Sequence, residues 1–131
     1  MKIDHLGVAV QSIEEALSFY ERVLGITASG IEEIPSQKVR VAMLPVGESK
    51  VELLEPTDPS GPVGRFIEKR GEGLHHVAFR VEDVEAALDR ARDAKVKLID
   101  ETPRRGAHGT RIAFLHPAST NGVLIELVEA S

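Results

Sequence analysis

The chain states one pattern twice. Ile3-Asp4-His5-Leu6-Gly7-Val8-Ala9-Val10, followed by Ser12-Ile13-Glu14-Glu15-Ala16-Leu17, aligns with Leu74-His75-His76-Val77-Ala78-Phe79-Arg80-Val81 and Asp83-Val84-Glu85-Ala86-Ala87-Leu88, 71 residues later. The same offset carries Arg40-Val41-Ala42-Met43-Leu44 onto Arg111-Ile112-Ala113-Phe114-Leu115. Three further residues in the second copy then bring Val51-Glu52-Leu53-Leu54-Glu55 onto Ile125-Glu126-Leu127-Val128-Glu129. His5 thus falls on His76, and Glu52 on Glu126. A duplicated module constrains the fold more than local propensity does, because matched side chains of the two copies are expected to converge on a pseudo-symmetry axis.

Each copy predicts the order β-α-β-β-β, which makes the fold class α+β with two tandem modules. In the first, an alternating strand from Ile3 to Val10 precedes a helix that Ser12 and Glu15 open as a capping box and Gly25 stops. Strands are expected near Ile26 to Ile31, from Val39 to Leu44 and from Lys50 to Leu54. Pro56 to Pro62 reads as linker, with Val63, Phe66 and Ile67 on a short helix ending at Gly71. The second module repeats the plan with a strand from Leu74 to Val81 and a helix from Val84 to Ala94 capped by Asp83. Further strands are expected near Lys97 to Glu101, Thr110 to Leu115 and Val123 to Val128. Half-domains of about 65 residues would be marginal alone. Residues 1–131 are therefore expected to form one domain, with module 1 at 1–55, linker and short helix at 56–72 and module 2 at 73–131.

Composition narrows the chemistry. With no cysteine, thiolate ligands and disulfides are excluded, and any metal must take nitrogen and oxygen donors. A net charge of −5 without a basic stripe argues against nucleic acid and anionic membranes as partners. No apolar run approaches about 18 residues and no signal peptide opens the chain, so a cytoplasmic protein is expected.

Strand parity then selects side chains, since residues i and i+2 share a face. Leu6, Val8 and Val10 form one apolar face and leave His5 with Gly7 and Ala9 on the other. Val77, Phe79 and Val81 do the same for His76 with Ala78 and Arg80, which selects His76 over His75. Glu52 and Glu126 each oppose two branched apolar neighbours. Singly, a strand histidine is more often structural and a strand glutamate more often solvated. The matched recurrence favours a ligand set of His5, Glu52, His76 and Glu126 on one concave face. Two imidazoles and two carboxylates suit Co²⁺, Mn²⁺, Ni²⁺, Zn²⁺ or Fe²⁺. Arg40, Arg80 and Arg111 have parity expected to match the same face, where an anionic substrate would meet them. Gly106, His108 and Gly109 form a glycine-rich loop whose backbone suits an anionic group, although a plain turn has the same pattern. His116, Glu14, Glu15, Glu82, Asp83 and Glu85 read as structural.

These motifs, with Gln37-Lys38-Val39-Arg40-Val41-Ala42, Gly106-Ala107-His108-Gly109 and Gly122-Val123-Leu124-Ile125-Glu126-Leu127, resemble the vicinal oxygen chelate superfamily from end to end. Within it, the His-His doublet, the Gly-Ala-His-Gly loop and the Leu-Ile-Glu-Leu end are most similar to the methylmalonyl-CoA epimerase family. The resemblance implies a curved mixed sheet, a homodimer, a CoA thioester substrate and a divalent ion, Co²⁺ foremost. It also implies epimerisation of (2R)- and (2S)-methylmalonyl-CoA through a metal-stabilised enolate. By motif, Glu126 is then both ligand and base, and Glu52 a ligand that is Gln in some members. Some members carry a second glutamate acid/base on the strand where this chain has Arg40. That leaves Arg40 to bind the substrate carboxylate, with Glu52 or a metal-bound water handling the other proton, or Glu126 acting with water alone. The four-ligand list also suits a glyoxalase I-like lyase. A metal-free module of the bleomycin-resistance type should lack the ligands, and an extradiol dioxygenase needs only three of them.

Overall fold

A computed structural model describes residues 1–130. The elements run β1 (Lys2–Ala9), α1 (Ile13–Arg22), β2 (Gly30–Ile34), β3 (Val39–Val46), β4 (Ser49–Pro56), α2 (Pro62–Arg70), β5 (Gly73–Arg80), α3 (Val84–Asp93), β6 (Arg104–Arg105), β7 (Arg111–Leu115) and β8 (Ile125–Glu129). This is the α+β plan of tandem βαβββ modules that the repeat predicts. Backbone contacts divide the chain into two units, residues 5–75 and residues 1–4 with those from 76 onward, so that β1 and β5 each begin in one and end in the other.

In the first unit the strand order is β2-β3-β4-β1, with β2/β3 and β3/β4 antiparallel and β4/β1 parallel. The parallel pair is what makes the sheet mixed, and it needs a crossover that α1, β2 and β3 supply. Gly47 turns the β3–β4 hairpin at φ 59°, the left-handed value that glycine takes without steric cost. Helix α1 starts where the capping box predicts, the Ser12 Oγ accepting the Glu15 N–H at 3.2 Å. It seals one face of the sheet: its own Ile13 and the strand residues Ala42, Leu44 and Leu53 are wholly buried together with Val10. Each large side chain among them contributes about 2–3 kcal/mol of transfer free energy.

The second unit has the order β5-β8-β7-β6, with β5/β8 parallel and the others antiparallel. Asp83 caps α3 by accepting the Glu85 and Ala86 N–H groups. Val84, Ala87 and Leu88 pack on Ala113 and Leu127. The opposite face carries Ala78, Ile112, Phe114 and Val128.

Two strands differ from expectation. The first edge strand lies at Gly30–Ile34 rather than Ile26–Ile31, because its register with β3 is Gly30 opposite Met43 through Ile34 opposite Val39. Lys97–Glu101 is not a strand. Leu98 makes an isolated bridge to Leu115, and the Asp100 carboxylate takes the Phe114 N–H at 2.8 Å, so a side chain replaces the ladder bond. The edge partner of β7 is instead the two-residue β6. Among the described residues, no helix is long and apolar enough to cross a membrane.

Candidate metal and substrate site

Both modules bring a histidine against a glutamate by the same register device. In the first, the parallel pairing sets Gly7 opposite Glu52, and in the second it sets Ala78 opposite Glu126. A histidine two residues earlier on the strand shares the face of that small residue. With little side chain directly opposite the glutamate, the imidazole reaches it diagonally. His5 Nδ1 lies 3.3 Å from Glu52 Oε2, and His76 Nε2 lies 2.9 Å from Glu126 Oε1. All four residues are buried, at 3%, 6%, 4% and 5% exposure respectively. Buried carboxylates are stable only with a compensating charge or hydrogen bonds, so this burial separates the four from surface acids.

The parity that selects His76 over His75 holds, since the His75 ring packs edge-on against Phe66 of α2, with centroids 5.0 Å apart. The His76 ring stands edge-on to Phe114 at 5.6 Å, and Phe114 is the direct β7 partner of Glu126.

Arg40 is corrected. It shares its face with Ala42 and Leu44, which pack under α1, and therefore lies on the opposite side of β3 from Met43, the register partner of Glu52. Its Nη1 pairs with Glu55 Oε2 at 2.9 Å and its Nη2 with Glu14 Oε2 at 3.4 Å. The Glu55 hydrogen bond, then the Glu55 charge, hold the guanidinium above its ordinary pKa. Arg111 repeats the arrangement with Glu85 at 3.3 Å and Glu129 at 3.5 Å, and Glu85 raises it in the same way. The segment from Val39 to Leu44 is apolar on both faces, so its alternation carries no cue to which face Arg40 joins. Arg80 is bound to Asp4, a 2%-exposed acid that the sequence reading did not single out, through Nε at 3.0 Å and Nη2 at 2.5 Å.

Gly106, His108 and Gly109 lie between β6 and β7. The Gly106 N–H donates to the Thr110 carbonyl at 2.9 Å, which closes the loop and engages that amide. His108 adopts φ 56°, ψ 35° and Gly109 φ 70°, consecutive left-handed residues of which only one is glycine. His116 caps the turn after β7, its Nδ1 accepting the Ala118 N–H at 3.0 Å, the structural role its sequence context suggests.

Residues 4–114 match the family model described as the Glyoxalase/Bleomycin resistance protein/Dioxygenase superfamily. The chain belongs to that superfamily. Among superfamily relatives, an uncharacterized Bacillus subtilis protein, YqjC, is 48% identical over 98% of this chain and 91% of its own length. The mouse mitochondrial methylmalonyl-CoA epimerase is 36% identical over 98% of this chain and 73% of its own. The structure of Streptomyces coelicolor methylmalonyl-CoA epimerase in complex with 2-nitronate-propionyl-CoA superposes with a TM-score of 0.97 at 40% identity, covering 100% of this chain and 95% of that one. The likeness to epimerases of this superfamily, which are isomerases, thus extends over the whole sequence and fold.

Proposed function

We propose that this chain interconverts (2R)- and (2S)-methylmalonyl-CoA, with His5, Glu52, His76 and Glu126 holding one divalent metal ion. The observation that carries the reading is the duplicated, buried His–Glu pair in a chain similar throughout to methylmalonyl-CoA epimerases. Two imidazoles and two carboxylates without thiolate fit a borderline ion such as Co²⁺, Mn²⁺, Ni²⁺ or Zn²⁺. When bound, the ion supplies Lewis-acid stabilisation of the charge that develops on the thioester as C2 loses its proton.

In this reading the Glu126 carboxylate takes the C2 proton and Glu52 serves the opposite face of C2, return from either side giving epimerisation. The first module supports Glu52 in that role: β3 offers Val41 and Met43 to the face of Glu52, and neither side chain can move a proton. The loop at Gly106, His108 and Gly109 contacts the substrate. A homodimer is favoured by β2, a sheet-edge strand whose described pairing is with β3 alone.

The test is (2S)-methylmalonyl-CoA in deuterated water, followed at C2. Deuterium incorporation with inversion is expected. If neither occurs while methylglyoxal and glutathione are turned over, the chain is a glyoxalase I-like lyase instead.

A further inference from the structure

We infer that Arg104 is a substrate-binding residue whose guanidinium takes the free carboxylate of the thioester's acyl group, an inference that rests on the proposed function above. Arg104 is half of the two-residue strand β6 and lies opposite Ile112. Directly paired residues share a face, so Arg104 joins Ile112, Phe114 and Glu126 rather than the side packed on α3. Its Cζ stands 5.4 Å over the Phe114 ring, and the edge of that ring is what His76 meets. One aromatic ring therefore separates a fixed cation from the His76–Glu126 pair.

The state of the guanidinium shows what it lacks. Nε is buried and lies 3.2 Å from Asp100 Oδ1, close enough for an ion pair but without hydrogen-bond alignment. The other carboxylate oxygen of Asp100 is engaged by the Phe114 N–H. Among the described residues neither Nη of Arg104 finds an acceptor, and the side chain is 36% exposed. Asp100 and Phe114 thus hold the group in place while its two-pronged end stays available for a planar oxyanion, the geometry that suits a carboxylate.

The repeat adds an independent observation. Val41 aligns with Ile112, and the residue opposite Val41 is Glu32, so the first-module counterpart of Arg104 is an acid. Some charges recur at matched positions, Arg40 with Arg111, Glu55 with Glu129 and Glu14 with Glu85, whereas others do not, Arg80 falling on Ala9 and Glu15 on Ala86. A duplicated scaffold can orient an unsymmetrical acyl group only where its halves differ, and here they differ in sign.

The experiment is calorimetric binding of methylmalonyl-CoA and of propionyl-CoA, which shares the nucleotide and thioester but lacks the carboxylate. It is run on the metal-loaded wild type, Arg104→Gln and Arg104→Lys, each checked for native circular dichroism. The wild type is expected to prefer methylmalonyl-CoA. Arg104→Gln should weaken that ligand about 10- to 100-fold and Arg104→Lys less, as loss of a charged hydrogen-bonded pair implies, with propionyl-CoA unchanged within about twofold. Equal weakening of both ligands would mean a packing or phosphate-binding role and overturns the inference, as does a wild type without preference or a variant without effect. Binding is read apart from turnover. A wild type that shows this selectivity yet exchanges no C2 proton would contradict the epimerase reading alone.

Discussion

Glu55 lies three residues beyond Glu52 on β4, and its carboxylate closes two contacts at once. Oε1 accepts the N–H of Ile13, the first residue of α1, at 2.8 Å, and Oε2 receives Arg40 at 2.9 Å. The side chain is 18% exposed, so water compensates only partly when it is removed. An ionised acceptor on an otherwise orphaned first-turn amide contributes about 2 kcal/mol, whereas the stranded Arg40 reaches solvent and adds little. Glu55→Ala is therefore expected to lose about 2 kcal/mol in urea unfolding at unchanged m-value, equivalent to a fall in Tm of about 6–10 °C for a domain of this size. The duplication supplies an internal control: Glu129 receives the Val84 N–H at 2.8 Å but holds Arg111 at only 3.5 Å, so Glu129→Ala should cost the same or slightly less. Glu14 is 66% exposed, and Glu14→Ala should stay within about 0.5 kcal/mol. If Glu55→Ala unfolds together with Glu14→Ala, the clamp between β4 and α1 does not carry the stability assigned to it.

Other consequences follow from the same contacts. Arg40→Ala should lower Tm yet leave the KM for methylmalonyl-CoA unchanged, and a tenfold rise in KM would return Arg40 to the substrate site. A Cβ at Gly106 would stand 2.7 Å from Ile112 Cγ2 and 2.8 Å from Thr110 Oγ1, so Gly106→Ala should cost about 1–3 kcal/mol by overpacking, read by urea unfolding. The backbone N–H of Ser60, then its hydroxyl, hold Asp58 below its ordinary pKa. That contribution is complete above the unfolded value of about 3.9 and lost as pH falls through the lower folded value. Asp58→Asn should therefore flatten the acid limb of the stability curve below about pH 4, and an unchanged limb would contradict the assignment.

The parts legible in the sequence were those that the duplication states twice. His5 with His76 and Glu52 with Glu126 stand out in the sequence because alternation beside each histidine is clear, with apolar residues on one face and Gly7, Ala9 or Ala78 on the other. The face of Arg40 is not legible because Val39 to Leu44 offers apolar residues to both faces, and only the packing of Ala42 and Leu44 under α1 decides which one Arg40 joins. The strand at Lys97–Glu101 failed because Asp100 substitutes its side chain for a ladder bond, a choice that depends on where Phe114 lies in space. Arg104, to which we assign a substrate-binding role, and Asp4 are not singled out by the repeat. Arg104 lies outside any periodic pattern, whereas Asp4 sits in phase with Leu6, Val8 and Val10 as an acid on an apolar face, and each gains meaning only from a partner, Phe114 with Asp100 or Arg80.

The most direct test of the central claim is the rate of C2 deuterium exchange from methylmalonyl-CoA as metal is titrated into chelator-stripped protein, for the wild type and Glu126→Gln. If the two His–Glu pairs share one ion, wild-type exchange should rise from background and saturate at one equivalent of Co²⁺ per chain, while Glu126→Gln stays near background at saturating metal. Full exchange in stripped protein, saturation at two equivalents, or undiminished exchange in Glu126→Gln would contradict it.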